Sequence, residues 1–175
     1  MAKRRAILMA IAGVAIMLSA PASAVGAPTD TAVKAAFLPR FARYVTWPSA
    51  AIPKGSDPFV LCVIGSDPFG ATLDEAARSQ SIDGRRIVIR RLNNAAAAND
   101  CQIAFAAGRS AQLLASLEGK PVLTVTDGAN GAARGIINFA IVGGRVRFYI
   151  DQAAAARRGM NVSSRLLALA IGVKQ

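Results

Sequence analysis

Hydrophobic and polar positions along the chain change rhythm several times, and each rhythm predicts an element. Val33, Phe37, Phe41, Tyr44 and Val45 recur at helical spacing, with Arg40 and Arg43 on another side. Thr29 or Asp30 can cap this first helix, which starts near Ala32. Pro39 sits inside the pattern, where a missing backbone donor predicts a kink, and Trp47-Pro48 is the expected end. Phe59 to Ile64 is almost wholly apolar and predicts a buried strand that Gly65 ends. Asp67 is the expected cap of a helix from Pro68 to Arg78. Ile87 to Leu92 alternates as a second strand, with Ile87, Ile89 and Arg91 on one side and Val88, Arg90 and Leu92 on the other. Asn93 to Ala98 fits a loop or a short helix equally. Gln102 to Ala106 predicts a third strand, Ser110 to Leu117 a helix, and Pro121 to Thr126 a fourth strand.

The pattern then turns antiparallel. Gly135 to Val142 and Arg145 to Ile150 flank Gly143-Gly144, a turn pair that accepts positive φ at both positions. Val146, Phe148 and Ile150 share one face of the second run. Arg145, Arg147 and Tyr149 share the other. Asp151 is placed to cap a helix from Gln152 to Arg158, and Ser163 or Ser164 a last helix reaching about Gly172. This order predicts an α/β chain: a Rossmann-like sandwich with a mostly parallel sheet, an antiparallel C-terminal hairpin and helices on both faces.

The beginning of the chain fits none of these rhythms. Lys3, Arg4 and Arg5 precede Ala6 to Ala20, which carries no charge and a single polar residue, Ser19, and Ala22-Ser23-Ala24 follows. A basic start, a short apolar run and small residues at an A-x-A site describe a signal peptide, residues 1–24, cleaved after Ala24. The competing reading is an uncleaved anchor, because the uncharged stretch from Ala6 to Thr29 covers 24 residues. Cleavage leaves a linker, 25–30, and a single domain, 31–175, outside the cytoplasm, where thiols oxidise. Of the formal +11, three charges leave with the signal, so the mature chain carries +8.

Composition narrows the chemistry. The chain of 175 residues contains no histidine, which excludes Ser-His and Cys-His nucleophiles, a histidine base and HExxH zinc sites. Asp74 and Glu75 are neighbours on a predicted helix and face different ways, so no acid–base pair is expected. Gly128 to Gly135 lacks phosphate-loop spacing and precedes a strand, so it reads as a glycine-rich loop. Arg85, Arg86, Arg90 and Arg91 form a basic cluster. Export removes nucleic acid as its target, leaving a solvated strand edge or a docking patch for an acidic partner or anionic envelope polymer. Two cysteines in an exported chain, Cys62 and Cys101, favour one disulfide, with two buried free thiols as the alternative.

An ordered series of segments carries a resemblance. VKAAFLPRFARYVTWP (33–48), FVLCVIGSDPFG (59–70), GRRIVIRRL (84–92), CQIAFAA (101–107), PVLTVTD (121–127), INFAIVGGRVRFYI (137–150) and NVSSRLLALA (161–170) together resemble the YfiR-like family over nearly the whole mature chain. That family is similar to periplasmic regulators that restrain a membrane-bound diguanylate cyclase through its sensor domain. The resemblance implies a binding protein without catalysis or cofactor, which lowers cyclic-di-GMP output and biofilm formation. It implies a membrane diguanylate cyclase or other membrane signalling protein as partner, an outer-membrane lipoprotein that sequesters the regulator, and a homodimer. The cysteine pair matches Cys62 and Cys101; a second, C-terminal pair found in some relatives is absent. Arg40, Arg43, Tyr44 and Trp47 are the candidate partner contacts, although Phe37, Phe41 and Trp47 also suit a core. The competing function is a small-ligand or peptidoglycan-binding module, its pocket near Gly65–Phe69 and Asp127–Gly131.

Overall fold

The computed structural model describes residues 27–107, 110–128 and 134–175. The signal-peptide expectation for 1–24, the first part of the linker and the middle of the glycine-rich loop lie outside them.

The first helix, α1, spans Asp30–Phe41, and the Thr29 hydroxyl accepts from the Ala32 N–H at 3.2 Å. Helical structure continues through Pro39, which is buried near the helix end. Pro39 therefore does not end the helix, which nevertheless stops well before Trp47. A 3-10 turn, Ala42–Tyr44, leads instead into a short strand, β1, Val45–Thr46. Tyr44 and Val45 thus belong to the exit of the helix rather than to its stripe.

In chain order there follow β2 (Phe59–Ile64), α2 (Ala71–Arg78), β3 (Ser81–Ile82), β4 (Arg85–Leu92), β5 (Ile103–Ala106), α3 (Ser110–Ser116) and β6 (Leu123–Asp127). Next come β7 (Ile137–Val142), β8 (Arg145–Asp151), α4 (Gln152–Arg157), β9 (Asn161–Val162), α5 (Ser164–Leu167) and β10 (Gly172–Lys174). Asn93–Ala98 resolves into a 3-10 turn over Ala95–Ala98, capped by the Asn94 side chain. Asp67 does not cap α2. Its carboxylate accepts from the Phe69 N–H at 2.8 Å and shapes the turn before the helix, which begins after Gly70. Gly172 starts a strand rather than ending a helix.

Among the described residues the main sheet has eight strands in the order β10-β8-β7-β6-β5-β2-β4-β3. Pairing is parallel from β4 through β2, β5 and β6 to β7, antiparallel between β7 and β8, and parallel again between β8 and β10. The Gly143-Gly144 turn has φ of 58° and 68°, as a tight hairpin with right-handed strand twist requires. The hairpin is not the sheet edge, because β10 covers β8. β1 and β9 pair in a separate two-stranded ribbon.

Strand alternation sorts the side chains into two layers. Leu61, Val63, Ile103, Phe105, Leu123, Val125, Phe139 and Phe148 face α1, α2, α4 and α5 in the larger core. Phe37 and Phe41 of α1 settle on the cross-strand pair Phe139–Phe148, with Phe41 edge-on to Phe148 at 5.3 Å between centroids. Such pairs add roughly 0.5–1.5 kcal/mol beyond burial. On the other side of the sheet, Cys62, Ile64 and Ala104 meet Ala98, Leu117 and Val122 in a smaller core. Helices on both faces and a mostly parallel sheet match the expected class. Over β7, β8 and β10 this second face is not closed: Val142, Arg145 and Arg147 are exposed and Tyr149 half-buried.

Candidate functional site

The end of α1 gathers three of the four expected contact residues. Arg40, in the last helical turn, and Arg43, in the 3-10 turn, are both exposed. A cation at this position is favoured by the negative end of the helix dipole. Tyr44 is half-buried, and its carbonyl accepts from the Ser163 N–H at 2.8 Å, which ties the turn to the start of α5. Pairing of Val45 with Val162 continues that tie. Arg43 consequently stands between two grooves. One, about 340 Å³, is lined by Arg43, Tyr44, Ser163, Ser164 and Arg165. The other, about 360 Å³, runs past Arg43, Thr46, Trp47, Ile52, Phe59 and Asp83.

Among the described residues the four ion pairs are Lys34–Asp127, Arg91–Asp67, Arg91–Asp74 and Lys174–Asp151, so Arg40, Arg43 and Arg165 have no carboxylate partner. This surface can hold anionic or acidic groups by charge and hydrogen bonding. It carries no nucleophile–base pair.

Trp47 is placed differently from the arginines. It is only 6% exposed. Its Nε1–H donates to the Gln102 carbonyl at 3.2 Å and its ring meets Phe59 edge-on at 5.1 Å. It belongs to the core and supplies a groove wall, not a free contact side chain.

The basic cluster on β4 is divided, because successive strand residues point to opposite faces. Arg85 and Arg91 share the α2 side with Ile87, whereas Arg86 and Arg90 share the other with Val88 and Leu92. Arg91 is also neutralised: its guanidinium donates to Asp67 at 2.7 Å, to Asp74 at 2.7 Å and to the Gly70 carbonyl at 3.0 Å. The hydrogen bond from Arg91 is the main reason that the Asp74 carboxyl titrates below its ordinary range; the bonds to Asp74 and Asp67 raise the arginine in turn. Arg85 donates to the Gly55 carbonyl at 3.2 Å. A continuous four-arginine docking patch is therefore not formed; Arg91 instead anchors α2.

Cys62 and Cys101 are joined in a disulfide, with Cα atoms 5.9 Å apart and both residues buried. The alternative of two free thiols is excluded. Among the described residues, the pocket expected at the strand ends is largely filled by the protein itself. Arg91 occupies Asp67, Phe69 packs edge-on against Phe105 at 4.8 Å, and Lys34 closes on Asp127 at 2.8 Å. Residues 129–133 lie outside the described part.

A family model described as YfiR/HmsC-like matches residues 31–171. The chain belongs to the YfiR/HmsC-like family. No curated protein matches it. The match begins in the first turn of α1 and ends at Ile171, immediately before β10, so both the basic end of α1 and the disulfide lie inside the family region.

Two polar groups within this YfiR/HmsC-like domain escape a reading by hydrophobic pattern. Gln102 is buried: its Oε1 accepts from the Val60 N–H at 2.8 Å and its Nε2 donates to the Ala51 carbonyl at 3.2 Å. With the Trp47 bond, it fastens the connection after α1 to the entrances of β2 and β5. The other group is Thr124, Thr126 and Asn138, all buried. Thr126 donates to Asn138 at 2.7 Å and accepts from the Gly135 N–H at 3.0 Å, while Thr124 accepts from the Ile136 N–H at 3.1 Å. These bonds satisfy the backbone entering β7, where unpaired N–H groups would be costly. The alternating Thr-x-Thr within an apolar strand was the available signal.

Proposed function

We propose that this protein is a periplasmic regulatory binding protein that engages the sensor domain of a membrane-bound diguanylate cyclase and lowers cyclic-di-GMP signalling, and with it biofilm formation. The observation that carries the reading is the YfiR/HmsC-like match over residues 31–171. Binding rather than catalysis is in keeping with a chain that contains no histidine. A signal peptide, 1–24, cleaved ahead of a linker, 25–30, and a single domain, 31–175, delivers it to the compartment in which the Cys62–Cys101 bridge persists.

Repression requires the regulator to bind the inactive sensor state more tightly than the active one; a tenfold preference corresponds to about 1.4 kcal/mol. The contact surface is the end of α1, where Arg40 and Arg43 are exposed and have no ion-pair partner among the described residues and Tyr44 adds a half-buried ring. An outer-membrane lipoprotein competing for the regulator, and self-association into a dimer, belong to the same reading.

Deletion of the gene should raise cyclic-di-GMP, and complementation should restore it. The protein tagged at its C-terminus should recover a membrane diguanylate cyclase from solubilised membranes. The double variant Arg40→Glu/Arg43→Glu should keep the wild-type melting temperature and lose that recovery. Unchanged cyclic-di-GMP on deletion would reject the cyclase as partner, and undiminished capture by the double variant would reject the surface.

A further inference from the structure

The β7–β8 hairpin projects an unusual combination of side chains at its tip. Ile141 and Val142 are 46% and 48% exposed, although both lie on strands of the main sheet. They stand next to Gly143-Gly144, opposite Val146 and Arg145 in the strand register. Arg145 and Arg147 are exposed on the uncovered sheet face, and the register puts them opposite Val142 and Ala140. The same face continues to Tyr149, over whose ring the exposed Arg134 guanidinium lies at 5.4 Å. On its other side β8 is flanked by the approach to β10, with Leu169 57% and Ile171 41% exposed.

The charges around this tip are one-sided. Neither Arg134, Arg145 nor Arg147 takes part in an ion pair among the described residues. The carboxylates nearest in the register are already engaged. Asp127, opposite Phe139, is held by Lys34 at 2.8 Å, and Asp151, at the far end of β8, by Lys174 at 3.1 Å. Arg145 is thus left unpaired directly across from Val142, with Arg147 one step further along the same face, while Ile141 extends from the other face of the same tip.

From this the geometry points to a peripheral membrane-docking surface: the β7–β8 tip rests on an anionic phospholipid bilayer, with Ile141 and Val142 in the interfacial region and Arg145 and Arg147 on headgroup phosphates. Such a bilayer supplies both things the tip lacks, a fixed layer of phosphates for planar guanidinium donors and an adjoining apolar layer. Strand geometry spaces alternate residues by about 6.6 Å, so two arginines on one face can address separate lipids. A protein partner would need a pocket shaped to both aliphatic chains with carboxylates set at the two arginines, whereas a fluid anionic bilayer takes such a tip without a matched shape. Docking of this kind goes beyond the proposed regulatory role and does not depend on it.

The test is vesicle co-sedimentation of the exported protein, its mass first measured so that binding is not due to the apolar 6–20 stretch. Vesicles of 30% phosphatidylglycerol in phosphatidylcholine should bind it; pure phosphatidylcholine should not, and raised salt should release it. Arg145→Glu/Arg147→Glu should weaken binding at least about tenfold, on the scale expected for charges near an anionic surface. Val142→Asp should weaken it as well, and Val142→Leu should preserve it, a readout that purely electrostatic attraction would not give. Melting temperatures within a few degrees of wild type show that the variants are folded. Absence of binding to the anionic vesicles overturns the proposal, as does equal binding by wild type and the double arginine variant. Loss of sensor-domain capture by the arginine variant, without vesicle binding by the wild type, also overturns it and assigns the tip to an acidic protein face.

Discussion

Gly135 shows how much a single position controls. A Cβ there would lie 2.6 Å from the Thr124 carbonyl oxygen and 3.2 Å from its hydroxyl. Its N–H is at the same time spent on Thr126. Gly135→Ala must push β6 and the entrance of β7 apart, so it should cost about 1–3 kcal/mol, the usual range for overpacking a tight interior. Urea denaturation measures this; a loss below about 0.5 kcal/mol would mean that the close approach is relieved without opening the Thr124–Ile136 bond. Asn138 offers the complementary case. Replaced by Leu, it leaves the buried Thr126 hydroxyl without its acceptor, and about 1–3 kcal/mol should be lost despite the similar size. The first cost is steric and the second is an unsatisfied side-chain hydroxyl, and both arise where the chain enters β7.

At the scale of elements, α2 depends on Arg91. The guanidinium joins the helix through Asp74, the preceding turn through Asp67 and the Gly70 carbonyl. Because Asp74 titrates below its ordinary value of 3.8, its contribution is present in full above that value and is lost as pH falls through the lower folded one. Stability of the wild type should therefore decline with acid more steeply than that of Asp74→Asn. The difference should stay under about 1 kcal/mol, since Arg91 and Asp74 are both more than a third exposed. Parallel slopes in urea titrations between pH 5 and 2.5 would show that the pair does not stabilise the fold. The elements themselves differ in how openly the sequence announces them. β2, α1's cap, the Gly143-Gly144 hairpin and Asp151 as the cap of α4 are local, and they read directly from residue pattern. The β1–β9 ribbon and β10 are two or three residues long and exist only through distant partners, so no local period marks them. The β3–β4 hairpin did leave a signal, Asp83-Gly84, both with positive φ, at the head of a basic strand. Of the candidate site, exposure of Arg40 and Arg43 followed from charge. The split of the β4 arginines was already implied by strand alternation and a core place for Trp47 by its size, whereas the pairing of Arg91 with Asp67 and Asp74 and the Trp47–Gln102 bond depend on distant partners.

For the whole molecule, the disulfide decides how the sheet responds to stress. Cys62 lies between Val60 and Ile64 on the face of β2 toward the smaller core, and Cys101 lies two residues before the first residue of β5. The bridge closes a loop of 39 residues that contains the rest of β2, α2, β3 and β4. That outer part of the sheet meets the remainder through the β2–β5 pairing. Covalent closure beside that seam therefore restricts the unfolded chain where separation of the two parts would begin. The loop-entropy relation assigns about 4 kcal/mol to a closure of this length, a large share of the 5–15 kcal/mol typical of a domain. Cys62→Ala/Cys101→Ala should accordingly unfold at markedly lower urea while keeping the native circular dichroism spectrum in water. A stability change below about 1 kcal/mol would refute the closure argument. Accessibility supplies an independent check. With Cys62 at 0% and Cys101 at 2% exposure, dithiothreitol should leave the bridge intact under native conditions and cleave it only as urea populates open forms. Rapid reduction in water would mean that the seam between β2 and β5 opens locally.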